Sequence, residues 1–156
     1  MLTQLRSLSF AVDGRYASDG ELEFMNRYLQ SFDLRLSTYQ KLQAAEVEII
    51  NEVESTLKSL DPHLLMRGTE DFQTKWRSDT VRVFRLSLLT MLLDDPDRYQ
   101  ERFLLWFQTL MRAFKTQRSC EVTYRVLLET VKKHLTGEEA SLICPILELN
   151  RTMLGT

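Results

Sequence analysis

The sequence predicts an all-α protein built as a bundle of long helices. Only five glycines and three prolines occur in 156 residues, apolar residues recur at intervals of three and four, and no segment alternates strictly between apolar and polar residues. Because glycine and proline are the usual turn formers, their scarcity favours a few long helices over many short strands. The 44% hydrophobic and 27% charged residues are typical of one globular domain.

Two amphipathic helices joined by a short corner are predicted at the N-terminus. The first runs from Thr3 to about Asp13, and the second begins at a capping box formed by Ser18 and Glu21. The second helix carries an apolar stripe, which we name the hairpin stripe: Leu22, Met25, Tyr28, Leu29 and Phe32. One short neighbouring helix cannot cover all of it. We therefore expect the N-terminal hairpin, residues 1–32, to form a protein interface.

A longer helix is predicted from Asp33 to Leu60, where Asp61-Pro62 ends it. Residues 63–70 are expected to form a loop. The next helix, residues 71–93, is apolar nearly all round in its second half, which predicts the central helix of the core.

Three further helices complete the chain. Asp95-Pro96 is a start signal for a helix over residues 96–114, Ser119 is expected to open the next, and Thr136 with Glu139 repeats the capping-box pattern. Pro145 should kink the last helix. Seven or eight helices fit a globin-like bundle over residues 33–156, within one domain spanning residues 1–156.

Composition and spacing argue against several functions. A net charge of −2 with scattered basic residues gives no reason to bind nucleic acid, and no apolar run is long enough for a transmembrane segment. His63, His134, Cys120 and Cys144 show neither metal-ligand spacing nor a motif that ties a base to a thiol. We therefore expect no metal site, no catalytic residues and no enzyme activity, in a protein of the reducing cytoplasm.

Three stretches, in matching order and spacing, resemble one known family. Residues 14–22, Gly-Arg-Tyr-Ala-Ser-Asp-Gly-Glu-Leu, are similar to the corner between the first two helices of α-type phycobiliprotein subunits. Residues 75–79, Lys-Trp-Arg-Ser-Asp, followed by residues 84–86, Phe-Arg-Leu, resemble the segment that carries the bilin. Residues 135–140, Leu-Thr-Gly-Glu-Glu-Ala, resemble the start of the final helix. The sequence is thus phycobiliprotein-like along essentially its whole length.

The resemblance implies a globin-like domain with an extra N-terminal helical hairpin. In the family this hairpin packs an α-type subunit against a β-type subunit, and the pairs build the rings of a light-harvesting antenna. A linear tetrapyrrole is attached through a thioether to a cysteine. An aspartate contacts its pyrrole nitrogens, and basic residues pair with its propionates.

Only part of that bilin site is matched. Trp76 stands where the attachment cysteine belongs, and an indole cannot form a thioether. Asp79 matches the pyrrole-contacting aspartate, Arg85 the downstream arginine and Lys75 the basic residue before the cysteine. Arg77 lies one position before the arginine of the motif. The resemblance implies that these five residues belong to an altered bilin pocket.

Two interpretations of Trp76 remain open. A large aromatic side chain at the place of a ring system more often fills the space than binds a ligand, so we expect Trp76 to be buried and no covalent bilin to be present. Alternatively, Trp76 lies against a bilin or other tetrapyrrole held noncovalently, with Arg77 or Arg85 free of a carboxylate partner. A further hypothesis for the function is a sensor that binds a small apolar ligand in the same pocket.

The first functional hypothesis is a non-catalytic protein of phycobilisome assembly, turnover or regulation. Ala11 stands where the resemblance places an aspartate that meets the partner's arginine, which favours a changed partner. We expect a homodimer or a pair with another phycobiliprotein-like subunit, formed through the hairpin stripe. The expected location is the cytoplasm, at the cytoplasmic face of the thylakoid.

Overall fold

The computed structural model of the chain describes residues 1–67 and 70–156, and it is all-α apart from one two-residue strand pair. The α-helices in the described residues are Leu2–Ala11 (α1), Asp19–Leu60 (α2), Gln73–Leu93 (α3), Pro96–Tyr99 (α4), Leu105–Ala113 (α5), Gln117–Lys133 (α6) and Gly137–Leu154 (α7). A π-helical turn, Gln100–Leu104, joins α4 to α5. The predicted all-α class is confirmed.

Helix α2 corrects the prediction of two separate helices that meet at residue 33. It continues without a break over 42 residues, a length of about 63 Å at the usual rise per residue. No glycine or proline occurs between Gly20 and Pro62, and Asp33 is exposed on the helix surface. An aspartate favours a helix start but does not stop a helix that is already running, so α2 runs through this position.

The predicted loop after α2 contains more regular structure than expected. Pro62–Leu65 forms a 3₁₀-helix, and Met66–Arg67 (β1) pairs antiparallel with Glu70–Asp71 (β2). Gly68 and Thr69 lie outside the described residues. The Phe72 N–H donates to the Leu65 carbonyl at 3.0 Å, which brings the start of α3 back beside the end of α2.

The core lies where α2, α3, α6 and α7 pack together. Its fully buried side chains come from all four helices and include Leu42, Ile49, Val53, Leu57, Val83, Phe84, Met91, Leu127, Val131, Ile143 and Leu147. The second half of α3 lies in this core as predicted, although Leu89 is exposed. Burial of these faces supplies most of the stabilisation of such a bundle.

Both predicted capping boxes are present. The Ser18 hydroxyl accepts from Glu21 N–H at the start of α2, and the Thr136 hydroxyl accepts from Glu139 N–H at the start of α7. Arg15 donates to both carboxylate oxygens of Glu21, at 2.9 and 2.7 Å, and holds the pKa of that carboxyl at about 2. This pair closes the corner between α1 and α2.

Other helix starts differ in detail from the prediction. Helix α6 begins at Gln117, two residues before Ser119, and the helix predicted over residues 96–114 is interrupted by the π-helical turn. Pro96 occupies the first turn of α4, but the Asp95 side chain makes no capping bond; its carboxylate accepts from Thr3 N–H at 2.9 Å. Asp95 therefore ties α1 to the α3–α4 corner.

A buried polar chain fixes α7 to α3 and α4. The Tyr99 hydroxyl donates to Asn150 Oδ1 at 2.9 Å, and Asn150 Nδ2 donates to Ser87 Oγ at 2.8 Å. Asn150 and Ser87 have no exposed surface. The chain is complete because the Ser87 hydroxyl donates onward to the Val83 carbonyl.

We predict that Asn150→Ala destabilises the fold. The Tyr99 and Ser87 hydroxyls would each lose a buried partner, which corresponds to roughly 2–4 kcal/mol in total. Urea unfolding followed by circular dichroism measures the loss. Thr152→Ala, at an exposed position of the same helix, is the control. A loss for Asn150→Ala no larger than for the control would show that the polar chain is not structural.

Candidate functional site

The first turn of α3 places Trp76 inside the protein. The Trp76 N–H donates to the Phe72 carbonyl at 2.9 Å, so helical bonding begins immediately before the indole. The side chain is 6% exposed, and its Nε1 donates to Thr123 Oγ1 of α6 at 2.9 Å. The expected burial of Trp76 is confirmed, and its one polar atom has a buried partner.

A cavity of about 220 Å³, which we name the Trp76 cavity, lies beside the indole. Its walls are formed mainly by apolar and aromatic side chains: Leu64, Met66, Phe72, Trp76, Phe107, Met111 and Tyr124. Polar side chains from α3 and α6, among them Asp79, Thr80, Cys120 and Thr123, contribute the remaining wall. The cavity is thus enclosed by α3, α5, α6 and the connection that follows α2.

Two of the predicted pocket residues lie together with Trp76. Asp79 is one turn further along α3 and lines the cavity. Lys75 Nζ contacts Asp79 Oδ1 at 2.5 Å, an ion pair across one helical turn. The carboxylate that matches the pyrrole-contacting aspartate is therefore already in an ion pair within the chain.

The two predicted arginines point toward α2 and do not line the Trp76 cavity. Arg77 donates to Glu54 at 2.7 Å and to Asn51 at 2.8 Å. Arg85 donates to both carboxylate oxygens of Glu46, at 2.7 and 2.6 Å. Hydrogen bonds from Lys58 and Arg77 lower the pKa of Glu54 despite its partial burial. Both arginines thus have carboxylate partners within the chain.

The rim of the Trp76 cavity carries three basic residues that the sequence does not assign to this site. Lys115, Arg118 and His63 are exposed there, and Arg118 pairs with Asp61 at 3.1 Å. Lys115 lies in the α5–α6 turn, Arg118 in the first turn of α6 and His63 in the 3₁₀-helix after α2, which is far from the other two in sequence. No local motif marks them, because only the tertiary fold brings these segments together.

Cys120 lines the cavity, but its environment does not activate the thiol. It is buried, and desolvation raises the pKa of the thiol to about 12. Only a thiolate is a good nucleophile, so this cysteine is inert near neutral pH. Cys144 on α7 is half-buried, and burial raises its pKa as well.

The hairpin stripe is not uniformly available to a partner. Tyr28 is buried, and its hydroxyl donates to the Leu92 carbonyl at 3.0 Å, so this residue anchors α2 to α3. Leu22 and Met25 are half-buried, whereas Leu29 and Phe32 are 66% and 37% exposed. Two residues outside the stripe, Phe10 on α1 and Tyr16 at the corner, are 72% and 98% exposed.

We name the exposed set Phe10, Tyr16, Leu29 and Phe32 the hairpin surface. No residue of α1 is buried, and the first buried residue of α2 is Tyr28. The N-terminal hairpin is therefore only partly covered by the rest of the chain. The sequence signal for Phe10 and Tyr16 was present, because both are large aromatic residues outside the apolar spacing of their segment.

The described residues hold no group of histidine, cysteine and carboxylate side chains that could bind a metal ion. In the same part of the chain, no helix combines the length and hydrophobicity needed to cross a bilayer.

Comparison with known protein families decides the relationship. The phycobilisome protein family matches residues 9–154, which is nearly the whole chain. The chain belongs to the phycobilisome protein family. Membership places this phycobilisome protein in the light-harvesting system, among proteins that assemble into oligomers, carry bilin chromophores and are generally structural. No curated protein is significantly similar to the chain.

We predict that Trp76→Ala costs about 3–5 kcal/mol of unfolding free energy, because truncation of a buried tryptophan leaves a cavity. Trp106, the other tryptophan, is 51% exposed and provides a matched control. Trp106→Ala should cost less than about 1 kcal/mol, as for most surface substitutions. Denaturant unfolding measures both, and equal losses would contradict the structural role of Trp76.

Proposed function

We propose that this phycobilisome protein is a non-catalytic component without covalent bilin, which acts in antenna assembly or regulation through its hairpin surface. The single observation that carries the proposal is the buried, hydrogen-bonded Trp76 at the position of the attachment cysteine. Its expected location is the cytoplasmic face of the thylakoid, where phycobilisomes are associated with the membrane surface.

The chemistry of the two thiols supports the absence of a covalent bilin. Attachment requires a thiol that can approach the tetrapyrrole, and Trp76 supplies none. Cys120 lies in the cavity wall, but burial raises its pKa to about 12. Cys144 does not line the Trp76 cavity.

The volume of the Trp76 cavity argues against an enclosed tetrapyrrole. A dry cavity of about 150 Å³ holds one benzene ring in a well-studied case, whereas this cavity measures about 220 Å³. Four linked pyrrole rings with two propionates need several times the room of one benzene. While the indole of Trp76 remains in place, the cavity is too small to enclose a whole bilin.

The charges around the site also disfavour a bilin. Arg77 and Arg85 already have carboxylate partners, as does Lys75, so propionate binding would have to break existing ion pairs. Asp79 lines the cavity and favours the second candidate function, a noncovalently held tetrapyrrole. A visible absorption spectrum of the protein purified from its native host separates the two functions, because a bound tetrapyrrole absorbs visible light.

A non-catalytic role is supported by the chemistry of the same cavity. Asp79 is held in an ion pair, and the Cys120 thiol stays protonated near neutral pH. Neither is poised as a general base or nucleophile. Binding through a surface is therefore the function that the chain supports best.

The hairpin surface is the best-supported contact surface for a second subunit. Three of its four side chains are aromatic, and within residues 1–32 only Tyr28 is buried. Residues 1–32 contain three arginines and four carboxylates, so two copies would meet with nearly balanced charge. A two-fold contact between identical copies is the commonest closed arrangement for one chain type. The proposed partner is a second copy of this chain.

We predict no fluorescent band when the protein is coexpressed with bilin synthesis and attachment enzymes and examined by zinc-enhanced fluorescence in a denaturing gel. Trp76→Cys in the same host is the comparison, because it restores a thiol at the attachment position. A band from the unchanged protein would overturn the proposal, and loss of that band in Cys120→Ser or Cys144→Ser would identify the attached thiol.

We predict that the full chain is dimeric at micromolar concentrations and that Leu29→Glu/Phe32→Glu makes it monomeric, because two carboxylates would be buried in the contact. Leu60→Glu is the matched control: Leu60 is 59% exposed on the same helix, about 46 Å from Leu29 along its axis. Sedimentation velocity measures the three proteins. A monomeric full chain that pairs only when antenna subunits are added would identify a different partner, and pairing that survives the double substitution would exclude the hairpin surface.

A further inference from the structure

The volume that remains beside Trp76 is large enough for a small ligand. About 220 Å³ is half as large again as the cavity that holds one benzene ring, so it accommodates two fused rings. It lies below the usual range for drug-sized ligands, which begins at about 300 Å³. The volume of the cavity therefore favours a small, compact ligand.

The walls favour an aromatic guest. Phe72, Trp76, Phe107 and Tyr124 contribute four aromatic rings to the lining. Met66, Met111 and Cys120 add polarisable sulfur. Rings gain from stacked or edge-on contact with such side chains, and sulfur makes favourable contacts with ring edges. An aliphatic guest would gain only from burial.

The charges at the rim favour an anionic end. Among the described residues, two acidic groups line the cavity, and each is already paired: Asp61 with Arg118 and Asp79 with Lys75. Among the charged residues that the structure describes there, Lys115 is the one cation without a carboxylate partner. One uncompensated positive charge remains beside an apolar interior.

The position of Lys115 is fixed by its backbone. It adopts a left-handed conformation with φ of 58°, and its N–H donates to the Arg112 carbonyl at 3.1 Å. The next residue, Thr116, donates from its N–H to the Met111 carbonyl at 3.0 Å. The turn between α5 and α6 thus places Lys115 at the rim of the cavity, within the lining.

We propose that the Trp76 cavity binds a small aromatic carboxylate of one or two fused rings, with its ring system between the aromatic walls and its carboxylate toward Lys115. The inference rests on the part of the proposed function in which no bilin occupies this site. It makes the chain a binding protein for a small anionic aromatic compound as well as an antenna component.

The test uses the full chain and 2-naphthoate as the probe, with 2-naphthalenemethanol as its uncharged counterpart. Two tryptophans give two indole N–H signals in a ¹⁵N-resolved NMR spectrum, and Trp106 is the internal control because it does not line the cavity. The Trp76 signal should move on titration while the Trp106 signal stays. A Kd of about 1 mM or tighter is expected for a ligand of this size.

The charge is tested by Lys115→Gln. Its affinity for 2-naphthoate should fall about fivefold, the effect of one exposed charge-assisted contact, while its affinity for the alcohol stays unchanged. Lys132→Gln, which removes a lysine that pairs with Glu129 and does not line the cavity, is the matched control and should change neither affinity.

Each remaining outcome has a distinct meaning. No movement of the Trp76 signal at several times 1 mM 2-naphthoate, or movement of Trp106 instead, would overturn the site. Equal binding of acid and alcohol to both the unchanged chain and Lys115→Gln would overturn the carboxylate class. If biliverdin binds at Trp76 with visible absorption and displaces 2-naphthoate, the proposed function is overturned. If neither biliverdin nor 2-naphthoate binds, only the present inference is overturned.

Discussion

The hydrogen bond between Trp76 Nε1 and Thr123 Oγ1, together with the burial of the indole, joins the start of α3 to the middle of α6. Most of the site follows from this contact. It fixes the register of α3 against α6, so Asp79 lines the cavity one turn later while Arg77 faces α2. A smaller residue at position 76 would leave the aromatic side chains on the opposite wall without a packing partner. The free energy of unfolding would fall, as it does when a cavity is created in a packed interior.

Helix α3 also links the two regions that carry the proposals. Its first turn contains Trp76, and its last turn is hydrogen-bonded to the N-terminal half of α2. There the Tyr28 hydroxyl donates to the Leu92 carbonyl, and Arg35 donates to the Met91 carbonyl and pairs with Asp94 at 3.0 Å. The carbonyl groups at the C-terminal end of a helix have no partners within it, and a buried arginine is a strong donor to them. These contacts fix the N-terminal half of α2 to the C-terminal end of α3.

Repeated local signals made most of the fold predictable. Both capping boxes, Pro96 in the first turn of α4 and the apolar half of α3 are local patterns, and the structure contains each of them. The continuity of α2 differs from the prediction: the helix runs through Asp33 because no glycine or proline interrupts it between Gly20 and Pro62. The site was predictable only where a motif covered it: Trp76 and Asp79 lie on one helix, whereas Lys115 and Cys120 join them through tertiary packing. The exposure of Leu29 and the burial of Tyr28 likewise depend on how α2 packs against α3. The spacing of apolar residues along the sequence does not specify that packing.

The geometry of α3 bears on how a ligand in the Trp76 cavity and a partner on the hairpin surface would influence each other. The helix spans 21 residues, about 30 Å, and both of its ends are fixed by buried or half-buried hydrogen bonds. Coupling between two sites requires an element with two arrangements that each site biases differently. The described part of α3 is one uninterrupted helix packed along the core, with Val83, Phe84 and Met91 fully buried. The structure contains α3 in one arrangement, fixed at both ends. We therefore expect occupation of the cavity to leave the hairpin surface unchanged, so that the chain keeps its contact surface with or without a ligand. An assembly component needs a contact surface that stays the same, whereas a sensor needs a contact surface that changes when its ligand binds.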